Sequence, residues 1–227
     1  MVVAETDAVG WENIWMGADA RQPGEMQGEL VLERYRTGDN MDKNGDGRIQ
    51  YVLLEGELTH QDSAIRTEAT VSILTVGGAP LELLASSTAE WERGIGAAKM
   101  DAWLDQFGDG IELVLSNNDD MALGAIDALA ERNMLEGGPM VFGIDGNDNA
   151  LQEIKNGNLD GSVVNDSYGQ AKGILDIARV LAAGGDPEES ISGLNGKFFM
   201  APYYKVTSGT VDDEIERRER LDEAHAG

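Results

Sequence analysis

The sequence predicts an α/β fold in which helices flank a parallel sheet. Short apolar runs alternate along the chain with longer helical patterns, which is the order that βαβ units produce. Two of the runs, 113–115 and 141–144, are apolar on both faces, as in strands that helices cover on both sides. With 227 residues, of which 41% are hydrophobic, the chain can form one large domain or two smaller ones.

The candidate elements follow from hydrophobic periodicity along the chain. The predicted strands are 12–16, 48–55, 111–116, 139–144, 161–165 and 197–204. The predicted helices are 26–35, 62–74, 91–107, 119–135, 149–156 and 170–183. We interpret 184–196 as a loop or linker, and the charged segment 212–223 as a solvated helix or a disordered tail.

Composition excludes several classes of function. The chain has 42 Asp and Glu against 17 Lys and Arg, a formal charge of −25, which disfavours nucleic acid and anionic lipid as partners. This acidity suits cation binding, high-salt surroundings or simple solubility. Without cysteine there are no disulfides, thiolate metal sites or thiol nucleophiles. Neither a membrane-length apolar run nor a signal-peptide pattern occurs in this sequence, so we expect a soluble globular protein without membrane insertion.

Residues 41–50 predict a calcium-binding loop. Oxygen-bearing side chains occupy alternate positions, which wraps ligands around one hard cation, and Gly47 permits the sharp bend. The ligands that this spacing predicts are Asp42, Asn44, Asp46, the carbonyl of Arg48, and Gln50. The alternative is a solvated turn rich in Asp, Asn and Gly.

The loop lacks the closing ligand of an EF-hand. The twelfth position, where an EF-hand has a bidentate glutamate, is Leu53, which lies inside an apolar strand-like run. We therefore expect the closing carboxylate to come from elsewhere in the chain. The ion would then tie two distant segments together.

Polar side chains recur where the predicted strands end. His60 and Asp62 lie at a predicted helix start, and Arg66 follows Asp62 by one helical turn. Taken alone, this spacing indicates an N-cap with an intrahelical ion pair. Comparable strand ends, where parallel sheets bind ligands, carry Asn118, Asp145 and Asn165.

Together with Trp91, these side chains predict a sugar-binding site. Carboxylate, amide and guanidinium groups bind hydroxyls directionally, and an indole packs on the C–H face of a pyranose. The alternative is that Trp91 is a core residue of an amphipathic helix. Its polar neighbours Glu90, Glu92 and Arg93 favour an accessible ring.

The sequence resembles the periplasmic galactose/glucose-binding proteins of ABC transporters and sugar chemotaxis, which have the type I periplasmic binding protein fold. The resemblance runs from about residue 15 to about residue 204. The segments that carry it are DKNGDGRIQYVLLEGE, the pattern H-x-D-x-x-x-R from His60 to Arg66, AEW followed by AAKMDAWL, IELVLSNND, VFGID, and VVND with GQAK after it.

The resemblance implies roles for particular residues. In that family a glutamate at the start of a later strand completes the calcium site, and Glu112 occupies that position here; the alternative is an ordinary strand-edge carboxylate. The resemblance also implies stacking of a sugar on Trp91. The side chains that it implies in hydrogen bonds to the sugar are His60, Asp62, Arg66, Asn118, Asp145 and Asn165.

Members of that family have two lobes, and this chain resembles the C-terminal lobe with the N-terminal lobe missing. The predicted division is 1–166 for the sugar-binding lobe, 167–200 for a crossover helix and strand of the missing lobe, 201–211 for the return, and 212–227 for a charged tail. An apolar stripe on helix 170–183 would face water, which favours self-association, repacking or a separate partner. The stripe consists of Ala171, Ile174, Leu175, Ala178 and Leu181.

The predicted function is that of a truncated, non-enzymatic substrate-binding component of a galactose/glucose ABC transporter, located outside the cytoplasm. Its partners would be a monosaccharide and the transporter permease, and one lobe alone would bind sugar weakly. A first alternative is a glycoside-processing enzyme that uses Asp62 and Asp145 as paired carboxylates. A second is the ligand-sensing domain of a sugar-responsive transcription regulator, which the negative charge and the lack of a preceding helix-turn-helix disfavour.

Overall fold

The computed structural model describes residues 15–17, 19–38 and 41–225, and the chain divides into two compact units. Of the described residues, the large unit comprises 20–38, 41–164 and 204–225, and the small unit comprises 15–17, 19 and 165–203. The predicted sugar-binding lobe began at residue 1, whereas the described strand Trp15–Gly17 belongs to the small unit, where it pairs with Phe198–Met200.

Strands and helices alternate through most of the described chain. In chain order the elements are β1 (Trp15–Gly17), α1 (Arg21–Arg36), β2 (Ile49–Glu55), α2 (Gln61–Val76), β3 (Leu81–Thr88), α3 (Arg93–Phe107), a 3-10 turn (Gly108–Gly110), β4 (Leu113–Ser116), α4 (Asp119–Glu131), β5 (Met140–Asp145), α5 (Asp148–Asn156), β6 (Gly161–Asn165), α6 (Ser167–Ala182), α7 (Pro187–Ser190), β7 (Leu194–Asn195), β8 (Phe198–Met200), β9 (Tyr203–Val206) and α8 (Val211–His225). Within this part of the chain, no helix is both long and apolar enough to cross a membrane.

A six-stranded sheet in the order β3-β2-β4-β5-β6-β9 forms the centre of the large unit. The four pairings from β3 to β6 are all parallel, with Leu53 opposite Leu115 and Leu115 opposite Phe142. Parallel neighbours require crossover connections, which the helices provide. The predicted α/β class with a parallel sheet is therefore confirmed.

Helices cover both faces of this sheet. Val52, Val114 and Val141 point into a core that α3, α4 and α5 complete. Since side chains alternate along a strand, the residues between them face the other way. There α1 packs across β4 and β5, and Gln27 donates to the backbone carbonyl oxygen of Ser116 at 2.8 Å. Burial on both faces explains why these strands read as continuous apolar runs.

The small unit has a three-stranded sheet in the order β1-β8-β7, with β1 parallel and β7 antiparallel to β8. Its core consists of Ile177, Leu194, Phe199 and Ala201. The Phe199 ring packs directly on α6 at Gly173, where an added Cβ would lie 2.5 Å from the ring. The absence of a side chain at Gly173 therefore sets how closely the helix and the strand approach.

The predicted elements differ from the observed ones in several places. Strand β3 was not predicted, because its sequence LELLASST shows no clear alternation and its residues are mostly half-buried at the sheet edge. The predicted strand 197–204 is two strands in different sheets, with Ala201 and Pro202 between them. The predicted loop 184–196 contains α7 and β7. Of the predicted strand 12–16, only residues 15 and 16 lie within the described residues.

The two predictions about exposed helices are also modified. On α6, Ile177 is fully buried, and Ile174 and Leu181 pack against the small core, so only part of the predicted stripe faces water. Leu175 is 54% exposed and does lie in solvent. The charged segment 212–223 belongs to α8, which Val211 anchors in the large core.

Candidate functional site

The carboxyl ends of β2, β4 and β5 carry a group of polar side chains in the large unit. Two of them cap helices: His60 Nδ1 accepts from the backbone N of Asp62 at 3.3 Å, and Asn118 Oδ1 accepts from the backbone N of Met121 at 3.0 Å. Such bonds satisfy amides that a helix leaves unpaired in its first turn. Asp145 ends β5. The parallel arrangement brings these strand ends to one edge of the sheet, where α/β proteins bind ligands.

Trp91 connects several members of this group. The His60 ring meets the Trp91 ring edge-on, with centroids 5.4 Å apart. The guanidinium carbon of Arg66 lies 5.7 Å from the indole centroid, which is within the range of a cation–π contact. Asn118 Nδ2 donates to the Trp91 carbonyl oxygen at 3.2 Å. The indole is therefore fixed among polar groups while its residue remains half-buried.

An unusual backbone turn carries Trp91 into this position. Glu90 and Trp91 have φ values of 54° and 66°, a left-handed conformation that non-glycine residues rarely adopt. Thr88 holds the turn, since its hydroxyl donates to the Gly56 carbonyl oxygen at 2.7 Å and accepts from the Glu90 backbone N at 3.3 Å. The indole lies directly on Gly56, where an added Cβ would be 2.1 Å from Trp91 Cζ2. Backbone strain of this kind is typical of ligand sites.

Arg66 is the buried cation of the site, with 6% of its surface exposed. One terminal nitrogen donates to the Asn117 carbonyl oxygen at 2.7 Å and lies 3.6 Å from Asp145 Oδ1. Its Nε is buried without a hydrogen-bond partner. Since buried donors are nearly always paired, this N–H is a donor that a ligand could satisfy.

Asp145 supplies the opposing carboxylate. Its φ of 126° is again a conformation that side-chain-bearing residues rarely adopt. Burial, and after it the charge of Asp119, raises the pKa of Asp145 to about 7, while the Arg66 guanidinium opposes that rise. The side chain keeps 36% of its surface exposed, so this carboxylate remains open to a ligand from solvent.

Asn117, which sequence reasoning missed, organises the same edge of the sheet. Its Oδ1 accepts from the Gly56 backbone N at 3.1 Å, from the Ser63 hydroxyl at 3.2 Å and from the Thr67 hydroxyl at 3.3 Å. These bonds join the end of β4 to the end of β2 and to α2. The adjacent asparagines in the sequence were a signal, but only Asn118 was selected, for its place after a predicted strand and by the family resemblance.

Two predicted residues are not joined to this cluster by a described contact. The half-buried Asp62 lies in the first turn of α2, and among the described residues its side chain forms no hydrogen bond or ion pair with the others. Asn165 ends β6 and belongs to the small unit, where its Oδ1 accepts from Gln170 Nε2 at 2.5 Å. Their roles in a sugar site stay predictions.

The predicted calcium loop contacts Glu112 directly. Glu112 is fully buried, and its Oε1 accepts from the backbone N of Lys43 at 2.5 Å and of Asn44 at 3.1 Å. Its other oxygen accepts from the backbone N of Gln50 at 3.0 Å. Glu112 therefore holds both ends of the loop through its backbone amides, whereas the ion that the sequence predicts between these segments stays a prediction. Lys43 Nζ adds a bond to the carbonyl oxygen of Gly137 at 3.0 Å.

Inside the loop, the oxygen-bearing side chains bond to one another and to the backbone. Asp42 Oδ1 accepts from the Gly45 backbone N at 2.7 Å, Asn44 Nδ2 donates to Gln50 Oε1 at 3.1 Å, and Gln50 Nε2 donates to Asp46 Oδ2 at 2.7 Å. No three His, Cys, Asp or Glu side chains in the described ranges are grouped as metal ligands would be. A cation here would therefore depend on amide and carbonyl oxygens as well as carboxylates.

Comparison with known proteins identifies the family. The sequence profile described as "Periplasmic binding protein domain" matches residues 6–186, which is most of the chain. The chain therefore belongs to the periplasmic binding protein domain family.

Individual relatives bind small polyhydroxy compounds, as their names state. The chain is 35% identical, over 205 residues, to the D-galactose/methyl-galactoside binding periplasmic protein of Haemophilus influenzae, covering 89% of this chain and 61% of that protein. It is 33% identical over 140 residues to a xylitol-binding protein of Mycolicibacterium smegmatis, covering 62% of this chain and 39% of that protein. The chain thus spans less than two thirds of each relative.

Solved structures agree with the fold. An ABC transporter solute binding protein from Bacillus halodurans, with bound myo-inositol, is 31% identical and superposes with a TM-score of 0.72 over 88% of this chain and 62% of its own. The type I periplasmic binding protein fold, which the sequence predicts by resemblance, is thereby confirmed.

Proposed function

We propose that this chain is part of a sugar-binding component of an ABC transporter, that it acts outside the cytoplasm, and that it binds its ligand without chemical change. The family and the polyhydroxy ligands named for its relatives support this proposal. The transporter permease would be its macromolecular partner. Catalysis by Asp62 and Asp145 is not proposed, since the relatives are binding proteins and no described contact joins the two carboxylates.

The observation that carries the proposal is the buried Arg66 with its unpaired Nε, between an indole and a carboxylate. A sugar hydroxyl both accepts and donates, so it can accept from Arg66 Nε and donate to Asp145. The indole of Trp91 offers an apolar surface for the C–H face of the ring. These groups recognise a small neutral polyol better than an anion, because Asp145 would repel a negative charge.

The finer proposal is that the ligand is a monosaccharide, D-galactose or D-glucose. The 35% identity to a galactoside-binding relative favours this pair over xylitol or myo-inositol. Tight binding in pockets requires that most of the ligand surface be enclosed. The described site offers one edge of one sheet, so we expect roughly millimolar affinity for this chain alone.

Nuclear magnetic resonance tests the proposal at this affinity. D-galactose, D-glucose, xylitol and myo-inositol are titrated into 15N-labelled protein while the Trp91 indole N–H and the Arg66 Nε–H signals are followed. We expect saturable shifts at both signals, larger for the two monosaccharides. An Arg66→Lys variant has no Arg66 Nε–H signal, so it is judged by the Trp91 indole N–H alone, whose shift it should lose. Arg132→Lys, whose side chain pairs with Asp101 away from the site, should keep both shifts. Unchanged spectra with all four compounds would contradict the proposal.

We also propose that the loop binds a structural calcium ion. The ligands would be Asp42, Asn44, Asp46, the carbonyl of Arg48, Gln50 and Glu112, an all-oxygen set that suits a hard cation. The contacts of Glu112 with the loop backbone support this set, because they hold the carboxylate beside the predicted ligands. Rotating the amides of Asn44 and Gln50 by half a turn would present their oxygens. The ion would add rigidity to the loop and take no part in sugar binding.

Terbium luminescence tests this site without relying on the sugar. Terbium replaces calcium at oxygen sites, and the side chain of Tyr51, next to Gln50, can transfer excitation energy to it. We expect luminescence that calcium displaces and that a Glu112→Gln variant lacks. Glu131→Gln, on the exposed end of α4, is the matched control. Equal luminescence in the two variants would exclude Glu112 as a ligand.

A further inference from the structure

Asp119 is a fully buried carboxylate that neither the sugar site nor the calcium loop explains. It lies in the first turn of α4, with 0% of its surface exposed. Its Oδ1 accepts from the Ser162 hydroxyl at 2.7 Å, and its Oδ2 accepts from the Asn147 backbone N at 2.9 Å. A buried carboxylate without a cationic partner is costly, so its position calls for a reason beyond packing.

Both bonds of Asp119 lead to the turn that follows Asp145. Asn147 is held directly, and Ser162 passes the contact on by accepting from the Gly146 backbone N at 3.2 Å. The Asp119 carboxylate therefore holds two consecutive backbone amides of this turn, that of Asn147 directly and that of Gly146 through Ser162. Asp145 itself is in a conformation, with φ 126°, that its neighbours must impose.

The strand also makes room for this carboxylate. Gly143 lies two residues before Asp145 in β5, and a Cβ added there would be 2.1 Å from Asp119 Oδ1. Any larger residue at 143 would displace the carboxylate from its bonds. The sequence thus combines a glycine on β5, a serine on β6 and an acid on α4 to support one turn.

We propose that Asp119 is a positioning residue that fixes the Asp145 carboxylate in the orientation needed for ligand binding. This inference rests on the proposed sugar-binding function. Asp119 is buried below the turn and would act on the ligand through Asp145. Its bonds to the Gly146–Asn147 backbone define where the Asp145 side chain points relative to Arg66.

The pKa values of the two carboxyl groups also indicate that Asp119 acts on Asp145. Burial raises the pKa of Asp119 to about 6, with the bonds from Ser162 and Asn147 opposing the rise. Asp119 in turn raises the pKa of Asp145. The charged groups that face this turn are Arg66 from α2, Asp119 and Asp120 from α4, Asp148 at the start of α5, and Arg218 from α8, which donates to the Gly146 carbonyl oxygen. Removing the Asp119 charge should therefore lower the pKa of Asp145.

An Asp119→Asn variant tests the proposal, with Ser162→Ala as a milder second variant. The control is Asp127→Asn on the same helix, which removes an exposed ion pair with Arg93. Two readouts need no ligand: hydrogen exchange at the Gly146 and Asn147 amides, and the carboxyl titration of Asp145 by nuclear magnetic resonance. For Asp119→Asn we expect exchange about tenfold faster or more, since a charge-assisted bond is lost. The Asp145 midpoint should move to lower pH. Ser162→Ala should affect mainly Gly146.

The third readout is the affinity for D-galactose and D-glucose at pH 8. We expect about tenfold weaker binding by Asp119→Asn, and an unchanged affinity for Asp127→Asn. Unchanged exchange and an unchanged Asp145 midpoint in both Asp119→Asn and Ser162→Ala would overturn the inference, as would wild-type sugar affinity in Asp119→Asn. Altered exchange and titration with no sugar binding by the wild type would instead contradict the proposed function and leave the support of Asp145 by Asp119 in place.

Discussion

Among the described residues, the large and small units differ in how fully their sheets are covered. In the large unit, helices lie on both faces of a six-stranded sheet, and Phe142 at its centre is fully buried. In the small unit, a three-stranded sheet packs on α6 through a few side chains, while Phe198 and Met200 on β8 are 57% and 42% exposed. Because burial of apolar surface is the main favourable term in folding, most of the stability should reside in the large unit.

The two units also differ in how much of the proposed function they carry. The described cluster around Arg66 and Trp91 and the calcium loop both lie in the large unit. The curated galactoside-binding relative extends well beyond this chain, which spans 61% of its length. The large unit is therefore the part whose proposed chemistry can be tested with this chain alone.

The largest expected effect is a contrast between two core phenylalanines. Phe142→Ala in the large unit should lower the free energy of unfolding by about 4 kcal/mol, since it leaves a cavity in a closed core. Phe199→Ala in the small unit should cost about 2 kcal/mol, because Phe199 keeps 8% exposure and its core is small. Urea unfolding, followed by hydrogen exchange at each unit, measures both. Equal losses would contradict the comparison.

The next effect concerns the contact between Glu112 and the loop. Glu112→Gln replaces one acceptor oxygen with a donor that faces backbone N–H groups, which should cost about 2 kcal/mol without any metal. If the loop binds calcium, the wild type should melt at a lower temperature in chelator and the variant should not respond to calcium. Glu131→Gln should melt like the wild type in both conditions. A wild-type melting temperature that chelator leaves unchanged would argue against the ion.

A pH effect of similar size should arise from Asp119. Its pKa is raised to about 6 in the folded protein, so the folded state holds this proton more tightly than the unfolded state does. The associated stability is fully present below about pH 4 and is lost as the pH rises through about 6, about 3 kcal/mol in total. Thermal melts from pH 4 to pH 7.5 should therefore fall more steeply for the wild type and Asp127→Asn than for Asp119→Asn. Parallel curves for all three proteins would show that ionisation of Asp119 does not lower the stability of the folded state.

The smallest effect should come from the exposed side chains of the small unit. Leu175 on α6 is 54% exposed, and we propose that it contributes to weak self-association of this chain. Leu175→Ser should then lower the weight-average mass in sedimentation at high protein concentration and change unfolding by less than about 0.5 kcal/mol. Leu58→Ser, at a 78% exposed position of the large unit, is the matched control. An equal change for both variants would indicate non-specific association.

Sequence reasoning identified the elements whose hydrophobic pattern is strong and missed those that depend on tertiary neighbours. The apolar strands β2, β4, β5 and β6 were predicted within two residues of their observed bounds. Strand β3 was not predicted because it lies at the sheet edge. Its half-buried positions there include Ser and Thr, so its hydrophobic pattern is weak. The predicted strand 197–204 contains Pro202, which is a signal against one continuous strand that the prediction did not use; the strands on its two sides belong to different sheets.

The candidate site shows a similar limit. Predictions from strand ends and resemblance selected side chains that can meet a ligand, such as Arg66 and Asp145, and the structure brings these two within 3.6 Å. The residues behind them, Asn117 and Asp119, were not selected because their spacing in the sequence does not show which distant backbone amides they bind. Only the packed fold reveals that they hold distant backbone segments.

The contact between Gly56 and Trp91 makes these two positions one unit for redesign. The indole occupies the space where a side chain at position 56 would begin, so a methyl group there would displace the ring from its place in the site. The reverse exchange, a small residue at 91 with a larger one at 56, would move the apolar wall by the thickness of a ring. The size of ligand that the site accepts would thus depend on the combined volume of the residues at positions 56 and 91.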